Sequence, residues 1–241
     1  KVGGGVHFGS SIVFRSDKTL YLTAGERGQD DPAEPTSQHA QNVAKTLGKV
    51  LRLNRDGSAA PGNPVFSGPG ALPGLWSIGH RNPQGAALRP GSDELWLTEH
   101  GPRGGDELNR ALAGRNYGWP VVSYGCPYSF AQSEPACRPG GGTHAPNFEE
   151  PKATWQPTST APSGLAFYTG AMFPQWHGNL FVGALAGKAL RRLTLNGNTV
   201  TAREPLFASL NERIRDVRQG PDGALYLLTD SSSGRIVRVS T

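Results

Sequence analysis

Residues 85–101 read GAALRPGSDELWLTEHG, two short apolar runs around a Pro-Gly-Ser-Asp reversal. Apolar and polar residues alternate on both sides of the reversal, as in half-buried strands joined by a turn. The design recurs as SSIVFRSDKTLYLTAGE (10–26), SGLAFYTGAMFPQWHGNLFVGAL (163–185) and RDVRQGPDGALYLLTD (215–230). A further strand-like run follows three of the copies: KVLRLNRDG, KALRRLTLNG and RIVRVS. A strand–turn–strand unit repeated at intervals of several tens of residues predicts a β-propeller, whose blades are four-stranded antiparallel sheets. A β-sandwich gives no reason for the recurrent D-G-x-L-Y-L-T ending. The chain is expected to be all-β, a single propeller unit over 1–241 with material for about four blades. Segment 123–160 is expected to be a long inserted loop.

With 33 Gly and 20 Pro in 241 residues, the composition suits a turn-rich β protein, because the breakers fall between apolar runs. The formal net charge is +5, from basic residues scattered without a Lys/Arg run. That argues against a nucleic-acid reader, which clusters its charge on one face. No apolar run approaches the ~20 residues of a membrane span, and no signal peptide is visible. The chain opens at KVGGGVHFG without an initiator Met, so further residues are expected upstream. Cys126 and Cys137 lie in SYGCPYSFAQSEPACRPGGG, far from zinc-ligand spacing. A disulfide pinning a surface loop is favoured over two thiols, and loop closure of this size contributes about 3 kcal/mol. It would suit an oxidising compartment, hence a periplasmic or secreted protein.

Several short stretches carry groups suited to chemistry. In GHRNPQG (79–85), Arg81 and Asn82 precede Pro83 and are pushed toward extended backbone. Arg81 is either a planar donor for carboxylate or carbonyl oxygens or a cap on turn carbonyls. EHGPRGGDELN (99–109) sets four charged groups and a His among three glycines and a proline, more breakers than a solvent turn needs. Gly101 and Pro102 can turn their carbonyls toward one point, the oxygen donors that calcium takes. Asp106 and Glu107 are also candidate ligands, although adjacent acids equally brace loops by accepting from amides. His7, in GGGVHFGSS, is a general base or a structural imidazole. Arg213 and Arg215 in NERIRDV share one face of a strand. Like charges side by side cost energy unless an anion sits between them or solvent screens them.

Together, HFG (7–9), LGKVLRLNRDGS (47–58), GHRNPQG (79–85), EHGPRGGDELN (99–109), NYGWPVVSYG (116–125), APSGLAFYTG (161–170), LFVGALAG (180–187) and RIRDV (213–217) resemble one family. It is that of the soluble sugar dehydrogenases dependent on pyrroloquinoline quinone (PQQ), the glucose/sorbosone dehydrogenases. The motifs stand in the family's order and run nearly from end to end. The resemblance implies a six-bladed propeller, of which roughly the first two blades are absent from this sequence. It implies oxidation of an aldose at C1 to a lactone, with electrons passed from PQQ to an external acceptor. By the same resemblance His7 is the base that takes the C1 hydroxyl proton while the hydride goes to PQQ. Arg81 would polarise the quinone, Asn82 and His100 would touch the cofactor, and Arg213 and Arg215 would face its carboxylates. Gly101 and Pro102 would ligate calcium through their carbonyls, leaving Asp106 and Glu107 to brace the loop.

The chain departs from the family pattern in places. Val6 stands where a polar residue usually precedes the His, and Ser10 and Ser11 replace a Gly-Arg-type continuation. Ala186 occupies the place of a cofactor-binding lysine, with Lys188 a candidate substitute two residues on. Trp155 and Tyr168 are candidate pocket walls. The alternative to an enzyme is a propeller that binds a sugar or protein partner without catalysis.

Overall fold

A computed structural model describes residues 5–30, 32, 38–131 and 134–241. Lys1, where the chain opens, and residues 132–133 of the long insertion lie outside the described residues. The repeated units form four antiparallel sheets, each built from strands consecutive in the chain. The first holds β1 (Ile12–Phe14), β2 (Leu20–Ala24), β3 (Lys49–Leu53) and β4 (Leu75–Ile78). The second holds β5 (Pro83–Leu88), β6 (Leu95–Glu99), β7 (Asp106–Ala111) and β8 (Ala153–Trp155). The third holds β9 (Pro162–Phe167), β10 (Leu180–Ala184), β11 (Ala189–Asn196) and β12 (Thr199–Leu206). The last has three strands, β13 (Ile214–Gln219), β14 (Leu225–Thr229) and β15 (Ile236–Val239).

The first strands neighbour one another in turn: β1 packs on β5, β5 on β9 and β9 on β13. Each internal sheet is therefore covered on both faces, and alternate residues of one strand feed two different cores. Leu95 and Leu97 of β6 pack with Tyr21 and Val50, while Trp96 between them packs with Leu165 and Phe167. The Trp96 and Phe167 rings meet edge to face with centroids 6.1 Å apart. The inner strands come so close that a side chain would not fit: a Cβ on Gly85 would lie 2.4 Å from the Ser163 carbonyl oxygen.

The threonine that ends the repeated motif now has a physical reason. Thr23 Oγ1 accepts from the Ser11 amide at 2.8 Å, and Thr98 Oγ1 accepts from the Gly85 amide at 3.1 Å. Each ties the second strand of its sheet to the chain near the first. Hydroxyls also bridge successive sheets: Ser11 Oγ donates to Gln84 O, Thr98 Oγ1 to Ser163 O and Ser163 Oγ to Ile214 O.

Two expectations are corrected. EHGPRGGDELN is a loop only in its first half, because Asp106–Ala111 is the strand β7. Most of its residues are buried, and only Leu108 and Ala111 among them are apolar, so no apolar alternation betrays it. Segment 123–160 is not wholly irregular either, since Ala153–Trp155 pairs with β7 as β8. Among the described residues, no helix is long and apolar enough to cross a membrane.

Candidate active site

Three strand ends meet at one end of the sheets. The Glu26 amide donates to Arg81 O at 2.9 Å, and the His100 amide donates to Asn82 O at 3.1 Å. The Gly25 amide donates to Gly9 O at 3.0 Å, while Asn82 Oδ1 accepts from the Gly9 amide at 3.0 Å. The residues beyond β2, before β5 and after β6 thus border a single cleft of about 770 Å³. His7, Arg81, Asn82, His100, Gly101 and Pro102 all line it. Six residues chosen from scattered motifs are brought together.

His7 has a left-handed backbone, φ 59°, that a non-glycine residue rarely adopts. Arg27 holds it there by donating from Nη1 to His7 O at 2.8 Å. The His7 Nδ1 is hydrogen-bonded to Glu26 Oε1. Glu26 is fully buried, and its other oxygen accepts from the amides of Gln29 and Asp30 at 2.6 and 3.0 Å. Glu26 is therefore the orienting partner that Val6 does not provide. In the sequence Glu26 is only the acid that closes the motif YLTAGE; its meeting with His7 is set by the fold.

Arg81 is buried and lies over the Trp119 ring, with Cζ 5.1 Å from the centroid. Its Nη1 donates to His100 O at 3.0 Å and to Gly101 O at 2.6 Å, while its Nε has no partner among the described residues. Burial pulls its pKa down, opposed by the charge of Glu26, but a guanidinium stays protonated. Burial also holds His100 below the usual imidazole range, against the attraction of Asp106. The His100 Nε2 lies 2.8 Å from Pro162 O, which can only accept, so the neutral ring carries its proton there.

Asp106 braces the loop. Oδ1 accepts from the Gly101 amide at 3.0 Å, and Oδ2 accepts from Ser159 Oγ and the amides of Thr160 and Ala161 at 2.6, 2.8 and 2.8 Å. Glu107 lies directly opposite Glu99 in the β6–β7 register, both buried. Asn109 Nδ2 bridges them, donating to Glu99 Oε1 at 2.6 Å and to Glu107 Oε2 at 2.9 Å. Glu99 also faces His80 Nδ1 at 3.2 Å and accepts from the Arg81 amide at 2.9 Å. Burial and the Glu99 charge push Glu107 well above the carboxylate range. Protonation of Glu107 would relieve the repulsion between the two opposed carboxylates. Among the described residues, no group of three or more His, Cys, Asp or Glu is arranged to hold a metal ion.

Arg213 and Arg215 stand outside the cleft. The anion between them is Asp230, whose Oδ2 accepts from both at 2.9 Å. Those bonds, Arg213 first, hold its carboxyl below the usual range. Lys188 is exposed in the turn between β10 and β11 and does not line the cleft. Trp155 and Tyr168 are not walls of it either. Tyr168 is a core residue whose hydroxyl donates to Gly223 O, and Trp155 borders a groove elsewhere. The aromatic lining is instead Trp119 and Tyr128, which the sequence did not single out. Tyr128, 73% exposed, sits beside the Cys126–Cys137 disulfide. Arg103 secures that segment by donating to Pro127 O and Phe130 O at 3.0 and 2.8 Å.

A protein-family model described as Glucose / Sorbosone dehydrogenase matches residues 1–238. The aldose sugar dehydrogenase YliI of Escherichia coli (strain K12) is 44% identical over 241 residues, which cover 100% of this chain and 62% of the relative. A solved structure of a glucose dehydrogenase superimposes with a TM-score of 0.87 at 48% identity, covering 98% of this chain and 65% of the other. The PQQ-bound form of aldose sugar dehydrogenase from Streptomyces coelicolor gives a TM-score of 0.71 at 32% identity, covering 98% and 61%. The chain thus spans less than two thirds of the length of each of these relatives.

Proposed function

Because the chain belongs to the glucose/sorbosone dehydrogenase family, we propose that its cleft is that of a PQQ-dependent aldose sugar dehydrogenase. The reaction is oxidation of an aldose at C1 to a lactone, with electrons passed to an external acceptor. The observation that carries this reading is His7, bonded to buried Glu26 and lining one cleft with Arg81. A module that only binds has no need of an oriented base there. Four sheets in about two thirds of the relatives' length support a six-bladed ring for the whole domain. The disulfide supports a periplasmic or secreted location.

The cleft residues fit PQQ in charge and polarity. Arg81 Nε and Trp119 Nε1 are buried donors without partners among the described residues, on a guanidinium and an indole that both line the cleft. An anionic, oxygen-rich planar group complements them. Bound there, PQQ would supply the hydride-accepting quinone. Glu26 fixes the His7 ring and commits Nδ1, so Nε2 is left to take the C1 hydroxyl proton. Arg81 binds and orients anionic oxygens, and Trp119 supports the guanidinium from one face. Asn82 secures the His7 segment through the Gly9 amide and offers its remaining polar atom to the cleft. His100 contributes a neutral ring. Arg213 and Arg215 are the expected partners of the PQQ carboxylates, and Asp230 would have to release them in part.

The calcium site is proposed at the carbonyls of Gly101 and Pro102. The donor set is thin: Asp106 is committed to amides, and Gly101 O already accepts from Arg81. Calcium takes about six to eight oxygens. The ion would therefore be held jointly by the two carbonyls, a bound anionic ligand and water.

The test is aldose-dependent reduction of an artificial dye by the full-length protein reconstituted with PQQ and calcium. Turnover is expected; none at saturating cofactor would overturn the reading.

A further inference from the structure

A second polar concavity lies between the second and third sheets, bordered by β8, β11 and β12. It is a groove of about 250 Å³ lined by Trp155, Gln156, Thr158, Arg191 and Arg203 among others. None of these five residues lines the candidate active site. Arg203 lies over the Trp155 ring, with Cζ 6.0 Å from the centroid, and its Nη1 donates to Thr154 O at 2.7 Å. Arg191 is half-buried, and its Nε donates to Thr160 Oγ1 at 3.3 Å. Burial depresses its guanidinium.

The charges do not close on themselves. Glu204, also in the lining, is taken by Arg192 Nε at 2.6 Å on its own strand pair. Among the described residues, neither Arg191 nor Arg203 forms an ion pair with a carboxylate. A partly desolvated cation without a counter-charge is costly, and an anionic ligand would relieve it. A bare anion, however, makes no use of an indole face or of short polar groups beside it. Those suit a molecule with both an apolar C–H face and hydroxyls.

We propose that this groove binds a carboxylated sugar. Its carboxylate would rest on Arg191 and Arg203, its C–H groups beside Trp155, and its hydroxyls against Gln156 and Thr158. The volume accommodates one sugar unit rather than a long chain. Two sources share the chemistry: ring uronates, as in acidic polysaccharides, and open-chain aldonates, as lactone hydrolysis yields. The inference is independent of whether the cleft oxidises sugars.

The experiment is calorimetric titration of the protein at low salt with galacturonate, gluconate, glucose and acetate. At least one carboxylated sugar is expected to bind more tightly than glucose and acetate. Its affinity should fall about 10-fold in Arg191→Met and in Arg203→Ala, the loss of one charge-assisted contact. Preference for galacturonate assigns the ring uronates, and preference for gluconate assigns the aldonates. Arg203 is exposed, so its variant carries the test should the Arg191 variant not fold. Carboxylated sugars binding no better than glucose, or no better than acetate, would overturn the proposal. So would affinities left unchanged in Arg203→Ala.

Discussion

The Nδ1 of His7 is hydrogen-bonded to Glu26, nineteen residues further along the chain, and Glu26 is wholly buried while His7 reaches the cleft. The pair joins a hidden acid to an accessible imidazole. His7→Ala is expected to lower kcat of the reconstituted holoenzyme at least ~100-fold while PQQ affinity changes little. Glu26→Gln should lower kcat with the same sparing of cofactor affinity. Single-turnover kinetics and cofactor titration separate the two effects. An unchanged rate in His7→Ala would remove it from the role of base.

Arg81 is expected to matter chiefly for cofactor affinity. Arg81→Met should weaken PQQ binding by about 10- to 100-fold, from the loss of charge-assisted bonds worth roughly 1.5–3 kcal/mol. Arg81→Lys keeps the charge but not the planar fork, and should recover only part of it. Fluorescence titration with PQQ measures both.

Calcium and PQQ should bind as linked ligands. With two neutral carbonyls as its protein donors, calcium alone is expected to show weak or no binding by equilibrium dialysis. Saturating PQQ should raise its affinity, and linkage requires calcium to tighten PQQ by the same factor. Equal calcium affinity with and without PQQ would count against the Gly101 and Pro102 site.

The opposed acids Glu99 and Glu107 should respond unequally to neutralisation. Burial and the Glu99 charge favour the protonated form of Glu107, so Glu107→Gln is expected to change stability by less than ~1 kcal/mol. Glu99 is bonded to the Arg81 amide and Asn109 and faces His80, and burial does not stop these partners from lowering its pKa. Glu99→Gln should cost about 2–3 kcal/mol. Thermal melts of the two variants compare them directly.

Asp30 predicts a pH dependence. Burial raises its carboxyl from the ordinary 3.8 to about 6, against bonds from the amides of Ala40 and His39. Between those values the folded protein binds a proton that the unfolded chain does not. The Asp30 contribution to stability therefore falls as pH rises from about 4 to 6 and is flat above that. Asp30→Asn lacks this titration, so its melting temperature should gain on that of the natural protein across the same window.

Much of the fold was legible because two-residue alternation survives wherever one strand feeds two apolar cores, as Leu95, Trp96 and Leu97 do. It failed for Asp106–Ala111, where buried Asp106, Glu107 and Asn109 interrupt the apolar pattern, and for Ala153–Trp155, a three-residue edge. The cleft lining was legible for His7, Arg81 and Gly101, whose backbones are set by nearby breakers. Glu26 was not, because its role depends on which strand end meets His7 in space. For Arg213 and Arg215 the sequence left open an anion between them or screening by solvent, and the structure shows both: the two are partly exposed, with Asp230 between them. That Asp230 supplies the anion, from the end of the neighbouring strand, is a matter of register rather than spacing.

The hydroxyl bonds from Ser11 to Gln84, Thr98 to Ser163 and Ser163 to Ile214 have a consequence for how the molecule breathes. They form a series of single bonds that runs from the first sheet to the last. No sheet can swing away alone without opening a bond shared with its neighbour. Amides beside the series, such as that of Gly85, should exchange with solvent only in collective openings. The strand ends that carry His7, Arg81 and the Gly101–Pro102 loop are thereby held to one frame, so their spacing is a property of the four sheets together rather than of any one of them.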